Sequence, residues 1–555
     1  MNPLSKRTPW GVDYQTSGRH SRRYVATSAI ATLAVLLASC GSGSSPTPST
    51  TSGAKGSATL TPVYGGTINV AVVSDPPTLD WTSSTSTITY EISWNIFEQL
   101  FALDSTDAPR PMLASGYQES ANGLAYTVDL RHGISFQNGQ PMTSADVVAS
   151  LKRWEAISNV GIAVASHVQS ITAPSKYQVQ ITMSSAFSPL IVDLAAPAQA
   201  AIIIPAAIAQ AAGSTPLTNA QIIGTGPYKL NKWVVGQVVS LTKWAGYKPL
   251  PKTDNWGGTA GYKAAYASQI NYLPVPSPAT RLSGLQTGQF QLADTITSQD
   301  YSQLVGSTSV KPIILPPSNQ LMVVFNKMEA PFNSQSMREA VNLVSNKTEI
   351  AAAAFGPKKF WTPNNAMFLP SQTSLYTTAG TKQYNAYSAS KAKSLIAKSG
   401  YNLSRPIRIL VTQTYPYMYN AGVALAQELN QIGVKTTILT YDWPTDLALR
   451  KNPQAWDIFI TAFSPLYDPT QLLWISPTYN GWYSSPQMQG LLAKWAATTS
   501  SSVRKTLMTQ IQQLEWTQLP IVKIADQKTL NGASTKLQGY GTIAGDDVLW
   551  NAWLS

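Results

Sequence analysis

The chain has 555 residues, 44% of them hydrophobic and only 12% charged, with a formal net charge of +12. That length exceeds what one hydrophobic core organises, so about two or three folding units are expected. A single cysteine, Cys40, excludes an internal disulfide and a cysteine-built zinc site, and three histidines (His20, His132 and His167) leave no histidine cluster. No metal and no cofactor are expected. The positive charge is diffuse: Lys6, Arg7, Arg19, Arg22 and Arg23 stand against Asp13 near the start, and no long basic run follows. Such a pattern is not a nucleic-acid footprint, and no nucleic-acid partner is expected.

Taken in chain order, Arg19-His20-Ser21-Arg22-Arg23 precedes an uncharged stretch, Tyr24 to Ser39, rich in Ala, Val and Leu. As a helix this stretch reaches about 24 Å, short of the ~30 Å of a bilayer's hydrocarbon. A basic segment before a short apolar one is the pattern of an export signal. Ser21-Arg22-Arg23-Tyr24-Val25 is similar in part to a twin-arginine signal, and both export routes stay open. The stretch ends in Leu37-Ala38-Ser39-Cys40, which resembles the lipobox of bacterial lipoproteins. The resemblance implies a signal peptide at 1–39 and diacylglyceration of Cys40. Gly41 to Gly56 is rich in Gly, Ser, Thr and Pro, a composition that cannot bury enough apolar surface to fold, so residues 40–63 are expected to form a tether.

Folded structure is expected from about Tyr64. Thr67 to Val73 reads as a strand, stopped by Ser74-Asp75-Pro76-Pro77. Ile88 to Leu100 has helical spacing, with Ile92, Ile96, Phe97 and Leu100 in one stripe. Tyr126 to Leu130 alternates as a strand does, Asn138-Gly139 is a hairpin-type turn, and Thr143 or Ser144 can cap a helix through Val147, Leu151 and Trp154. Strands are expected within Gln221–Trp244, at Leu321–Phe325, Ile407–Val411, Lys435–Leu439 and Asp457–Ala462. Helices are expected at Ser336–Val344, Ser390–Ser399 and Ala421–Ile432. The mixed order beyond residue 320 suggests an α/β lobe.

The run Leu130-Arg131-His132-Gly133-Ile134-Ser135-Phe136-Gln137-Asn138-Gly139-Gln140-Pro141-Met142-Thr143-Ser144-Ala145-Asp146-Val147 is the strongest of several landmarks. Pro77-Thr78-Leu79-Asp80 and Pro111-Met112-Leu113-Ala114 come before it. Gly224-Thr225-Gly226-Pro227-Tyr228, Arg338-Glu339-Ala340-Val341, Ile432-Gly433-Val434 and Asp468-Pro469 come after it. In this order they resemble the solute-binding proteins of peptide-type ABC importers, family 5, over about residues 64–545. The resemblance implies an α/β fold of two lobes, periplasmic-binding-protein-like (type II, cluster C), with a small extra domain. The first lobe is expected at 64–315 and 526–555, the small domain inside it at about 95–185, and the second lobe at 316–525. Two chain crossings, the first marked by Pro316-Pro317, form a hinge on which such lobes close. The implied role is a monomeric, lipid-anchored binder on the extracytoplasmic face of the cell membrane. It would hand a peptide or other small organic solute to an importer's permease and ATPase.

The same resemblance places Trp443, in Asp442-Trp443-Pro444-Thr445, and Phe463 on the cleft. Arg450 is a candidate for a ligand carboxylate, with a solvent-facing arginine as the alternative. Asp75 is a candidate because its loop follows the first strand's carboxyl end, where open α/β sheets bind ligands. Asp468 is a candidate cleft carboxylate, with a helix cap as the alternative. Peptide binders of the family hold the peptide's ammonium with an aspartate where this chain has Pro465 or Leu466. Neither can pair a buried charge, so a free amine is not expected to be held there. The alternative functions are a hydrolase and a sensor or chaperone-like lipoprotein. No Gly-x-Ser-x-Gly elbow, His-Glu-x-x-His helix or phosphate loop is present, and no enzyme is expected.

Overall fold

The computed structural model describes residues 60–543 and 546–555. Cys40, the expected signal peptide and most of the expected tether lie outside the described residues. No described helix is long and apolar enough to cross a membrane.

Two sheets carry the architecture. The first has seven strands in the order Val310–Ile314, Leu530–Ser534, Leu292–Ala293, Thr67–Val72, Gln269–Pro274, Val238–Lys243 and Tyr228–Val234. Thr67–Val72 lies at its centre, parallel to Gln269–Pro274 and to Leu292–Ala293. Its Ile68, Val70, Ala71 and Val72 are buried, while the polar Thr67 and Asn69 stay half-buried. The second sheet has six strands in the order Trp361–Thr362, Ile521–Gln527, Asn319–Phe325, Ile458–Phe463, Ile407–Thr412 and Thr436–Tyr441. The chain passes from the first sheet to the second between Ile314 and Asn319, through Pro316-Pro317, and returns between Gln527 and Leu530. Prolines keep the first passage out of either ladder.

A four-stranded antiparallel sheet, Ala114–Glu119, Ala125–Leu130, Gln178–Met183 and Val168–Ser175, forms the small extra unit. Its core runs from Leu100 to Ile203 and includes Trp154, on the helix Ser144–Ile157. That helix opens as its sequence indicates: the Asp146 carboxylate accepts from the Thr143 backbone N–H at 2.8 Å. The other Asp146 oxygen accepts from Ala206 N–H at 2.8 Å and docks the helix Ala206–Ala212.

The helix expected over Ile88–Leu100 is shorter, Thr87–Ser93. Ile92, Ile96, Phe97 and Leu100 are all buried, but not as one helical stripe. The Gly224-Thr225-Gly226-Pro227-Tyr228 segment takes the carbonyls that a longer helix would use. Gly226 N–H donates to Ile96 O at 2.8 Å and Tyr228 N–H to Asn95 O at 3.0 Å. A side chain at Gly224 would meet Ile96 O at 2.2 Å, so that approach requires glycine. Gln137 ties the same knot, donating to Ile96 O at 2.9 Å and Tyr228 O at 2.7 Å and accepting from Gly224 N–H at 3.0 Å. Asp80 pairs with Arg153 at 2.5 Å, both buried, and so fastens the helix of the small unit to the first lobe.

Candidate functional site

A cavity of about 890 Å³, open solvent at its mouth included, lies between the two large sheets. Thr85, Thr87, Tyr90, Glu91, Asp294 and Thr295 line it from the first lobe. Tyr415, Trp443, Arg450, Phe463, Leu466 and Tyr479 line it from the second. Asn319, Gln527 and Thr529 line it where the chain crosses between the sheets, so the cavity reaches the hinge. Its concavity, aromatic lining and few convergent polar groups are those of a small-molecule site.

Trp443 is the first residue of the helix Trp443–Leu449, whose N-cap is Asp442, accepting from Thr445 N–H at 2.8 Å. Pro444 suits the first turn, where its missing N–H is not needed. The cap fixes where the indole leaves the helix. Its ring meets Tyr415 edge to face, with centroids 5.1 Å apart. Its Nε1–H crosses the cleft and donates to Ser86 Oγ at 2.9 Å. Thr87 and Ser464 hydroxyls approach at 3.5 Å across the same gap. The walls are therefore in contact, and a buried Trp N–H finds its partner on the opposite lobe.

Arg450, at the C-terminal end of the Trp443 helix, is 1% exposed, which corrects the solvent-facing alternative. Its Nε lies 2.5 Å from Asp446 Oδ1, one turn earlier, and its Nη1 donates to Thr461 Oγ1 at 3.0 Å. The guanidinium carbon sits 4.8 Å from the Trp443 ring centre and 4.3 Å from that of Phe459. Burial raises the Asp446 carboxyl above its ordinary range, and the Arg450 charge works against that rise. Arg450 thus lines the cavity with its charge already matched by Asp446. Phe463 ends the strand Ile458–Phe463 and packs on Trp474 and Tyr479, at 4.9 and 5.8 Å between centroids. Leu466 also lines the cavity and gives its wall an apolar surface there.

Asp75 and Asp468 lie outside the lining. Asp75 accepts from Gly236 N–H at 2.6 Å and Trp233 Nε1–H at 3.4 Å, pinning the turn between Tyr228–Val234 and Val238–Lys243. Asp468 caps the turn Pro469–Gln471, accepting from Thr470 N–H at 2.9 Å and Trp495 Nε1–H at 2.9 Å. The structure thus brings Trp443, Arg450 and Phe463 together and leaves those two carboxylates in structural bonds. Sequence reading missed Asp294, Glu91 and Gln527. Asp294 follows a two-residue strand, Leu292–Ala293, that no periodicity marks. Burial raises the Asp294 carboxyl, opposed by the Thr295 hydroxyl, which donates at 2.7 Å, and by the Arg281 charge.

Among the described residues no group of His, Cys, Asp and Glu is placed to hold a metal ion. His132 stacks on Tyr177 and His167 on Phe187, at 4.1 and 4.5 Å.

Residues 108–484 match the model for bacterial extracellular solute-binding proteins, family 5 (middle). The chain belongs to this family. A glutathione-binding protein of Salmonella typhimurium is 27% identical over 85% of this chain and 91% of its own. A probable peptide ABC transporter periplasmic-binding protein of Sinorhizobium fredii is 27% identical over 82% and 88%. Among solved structures, the periplasmic binding protein AgaA of A. tumefacien R10, in complex with agropinic acid, superposes with a TM-score of 0.77. It is 22% identical and covers 88% of this chain and 99% of its own. The oligopeptide-binding protein AppA of Bacillus subtilis, in complex with a nonapeptide, also gives 0.77, at 17% identity over 89% and 100%. The two-lobed solute-binding fold is thereby established, and this family-5 protein is a binder and not an enzyme.

Proposed function

We propose that this family-5 protein is held at the outer face of the cell membrane through lipidated Cys40. There it captures a peptide or peptide-like small organic solute, as a monomer, and delivers it to the permease and ATPase of an ABC importer. The observation that carries the reading is the cavity between the two sheets, bridged by Trp443 Nε1–H donating to Ser86 Oγ at 2.9 Å. A hydrogen bond between opposite walls exists only when the lobes are together. A two-crossing hinge lets them separate, so solute can enter, be desolvated and be released. The glutathione and peptide binders among its relatives support a solute of this class, as does an aromatic second-lobe wall able to take apolar side chains.

The test has two arms. A thermal-shift screen of peptides and small organic solutes should find one that stabilises the protein by about 2.7 kcal/mol at 100 times its Kd. Separately, a Cys40→Ser chain expressed in a lipoprotein-processing host should leave the membrane fraction. A silent screen counts against capture, and a membrane-bound Cys40→Ser chain counts against the anchor.

A further inference from the structure

A second cavity, of about 550 Å³ with open solvent included, lies on the other side of the chain's return crossing between the sheets. Lys528 and Leu530 line it, whereas Thr529 between them lines the solute cleft. That alternation, the one a strand shows, makes the crossing a wall shared by two cavities. Thr297 and Ser298 line the second cavity from the first lobe, and Phe355, Phe360 and Pro416 from the second. The lobes touch here as they do in the cleft. Tyr301 meets Phe360 edge to face at 5.7 Å between centroids, and a side chain at Gly356 would meet Ser298 Oγ at 2.5 Å.

The charge at this cavity is positive. Lys528 is the one charged residue among its described lining residues. Burial, with the Lys528 charge nearby, lowers the ammonium of Lys358, on the turn Lys358–Phe360. Among the described residues neither lysine is in an ion pair, so an anion at Lys528 would relieve their repulsion. The Asp300 carboxylate is engaged by the Thr297 hydroxyl, which donates to it at 2.5 Å. The helix Pro416–Gln431 brings Pro416 and Tyr417 of its first turn to the cavity, and no side-chain cap bond closes that turn at Tyr415. The positive end of its dipole adds to the attraction for an anion.

A further observation is independent of charge. Gln527 lines both cavities while only 7% exposed, and its side-chain oxygen meets no donor among the described residues. A buried acceptor left without a donor is unfavourable, and a ligand N–H or O–H would remove that penalty. Phe355, Phe360 and Leu530, all buried, supply apolar surface beside it. We infer that this hinge-side cavity is a second binding site, separate from the solute cleft, for a small organic acid. Its carboxylate goes to Lys528, an N–H or O–H beside the carboxylate goes to Gln527, and its apolar body rests on Phe355, Phe360 and Leu530. A lysine ammonium only donates and an amide oxygen only accepts, so the two protein groups select different groups of one molecule. Because the walls belong to both lobes and to the crossing, a molecule held here biases the hinge toward the arrangement in which both walls touch it.

The experiment uses N-acetyl-L-phenylalanine as the probe, which carries a carboxylate, an amide N–H and a phenyl ring but no free amine. Calorimetry follows its binding to the purified protein beside two analogues, N-acetyl-L-phenylalaninamide, which lacks the charge, and 3-phenylpropionate, which lacks the N–H. Wild type should bind the probe about tenfold better than either analogue. Lys528→Gln should weaken the probe about tenfold and leave the uncharged amide as it was. Trp443→Ala alters the solute cleft and should leave probe affinity nearly unchanged. If Lys528→Gln does not fold, the analogue comparison in wild type carries the test. No binding of the probe, equal binding of the probe and either analogue, wild-type affinity in Lys528→Gln, or loss of binding in Trp443→Ala overturns the inference. None of these outcomes bears on solute capture, which the thermal-shift screen tests.

Discussion

On the second-lobe wall of the cleft the charged groups that reach the cavity are matched within the protein. Arg450 lies between two aromatic rings, 2.5 Å from Asp446, and the ring it supports at Trp443 is held by a capped helix. On the first-lobe wall, Asp294 and Glu91 face the same space, and where the chain crosses between the sheets the Gln527 side-chain oxygen meets no donor among the described residues. The difference separates positioning from recognition. A buried pair such as Arg450–Asp446 fixes geometry and offers a ligand no net charge. Acidic side chains on a cavity wall act on the charge of whatever arrives there later.

The largest effect that probes this contrast is on stability. Arg450→Ala leaves Asp446 buried and unpaired and should destabilise the protein by about 3–5 kcal/mol, read by denaturant unfolding. Adding Asp446→Ala should recover much of that loss. No recovery would mean that Arg450 acts through something other than its pair. Next, Trp443→Ala removes a buried aromatic anchor and should weaken solute binding by about 2 kcal/mol, roughly 30-fold in Kd by calorimetry.

The first-lobe carboxylate predicts a pH dependence. Burial raises Asp294 in the empty protein, with Arg281 beside it opposing and Asp547 behind it. A cationic solute bound beside it favours its ionised form, so such a complex holds fewer protons than the free protein. Affinity for a cationic solute should therefore rise with pH through a range above the usual carboxylate one, by at most about tenfold per pH unit, and fall away in acid. Asp294→Asn should flatten that profile. The smallest effect belongs to the bridge between the walls. Ser86→Ala deletes one cross-lobe hydrogen bond, worth about 1 kcal/mol, and should raise Kd about fivefold, chiefly through faster release.

Much of the fold was legible because its signals are local. Thr143 and Asp146 cap a helix within four residues of chain, and alternation marks Ala125–Leu130. Pro316-Pro317 marks a crossing where no ladder can continue. The helix from Ile88 was overextended because its end is set by Gly224, Gly226 and Tyr228, more than a hundred residues away. In the site, Trp443 and Phe463 could be placed because they sit in family-like segments. The burial of Arg450 could not be read, since Phe459 reaches the end of its helix from the strand Ile458–Phe463. Asp75 and Asp468 looked available in one dimension, whereas Gly236 and Trp495 bind them in three. Asp294 has no local signature at all. It matters because a two-residue strand and the hinge bring it and Gln527 to one cavity.

The central claim is that the cleft captures a free solute between its lobes, and mass spectrometry of the protein purified from its native host tests it most directly. Under native conditions the account predicts a mass above that of the polypeptide, and denaturation should release a stoichiometric small solute. A protein that releases nothing, and whose melting no solute shifts, would contradict it.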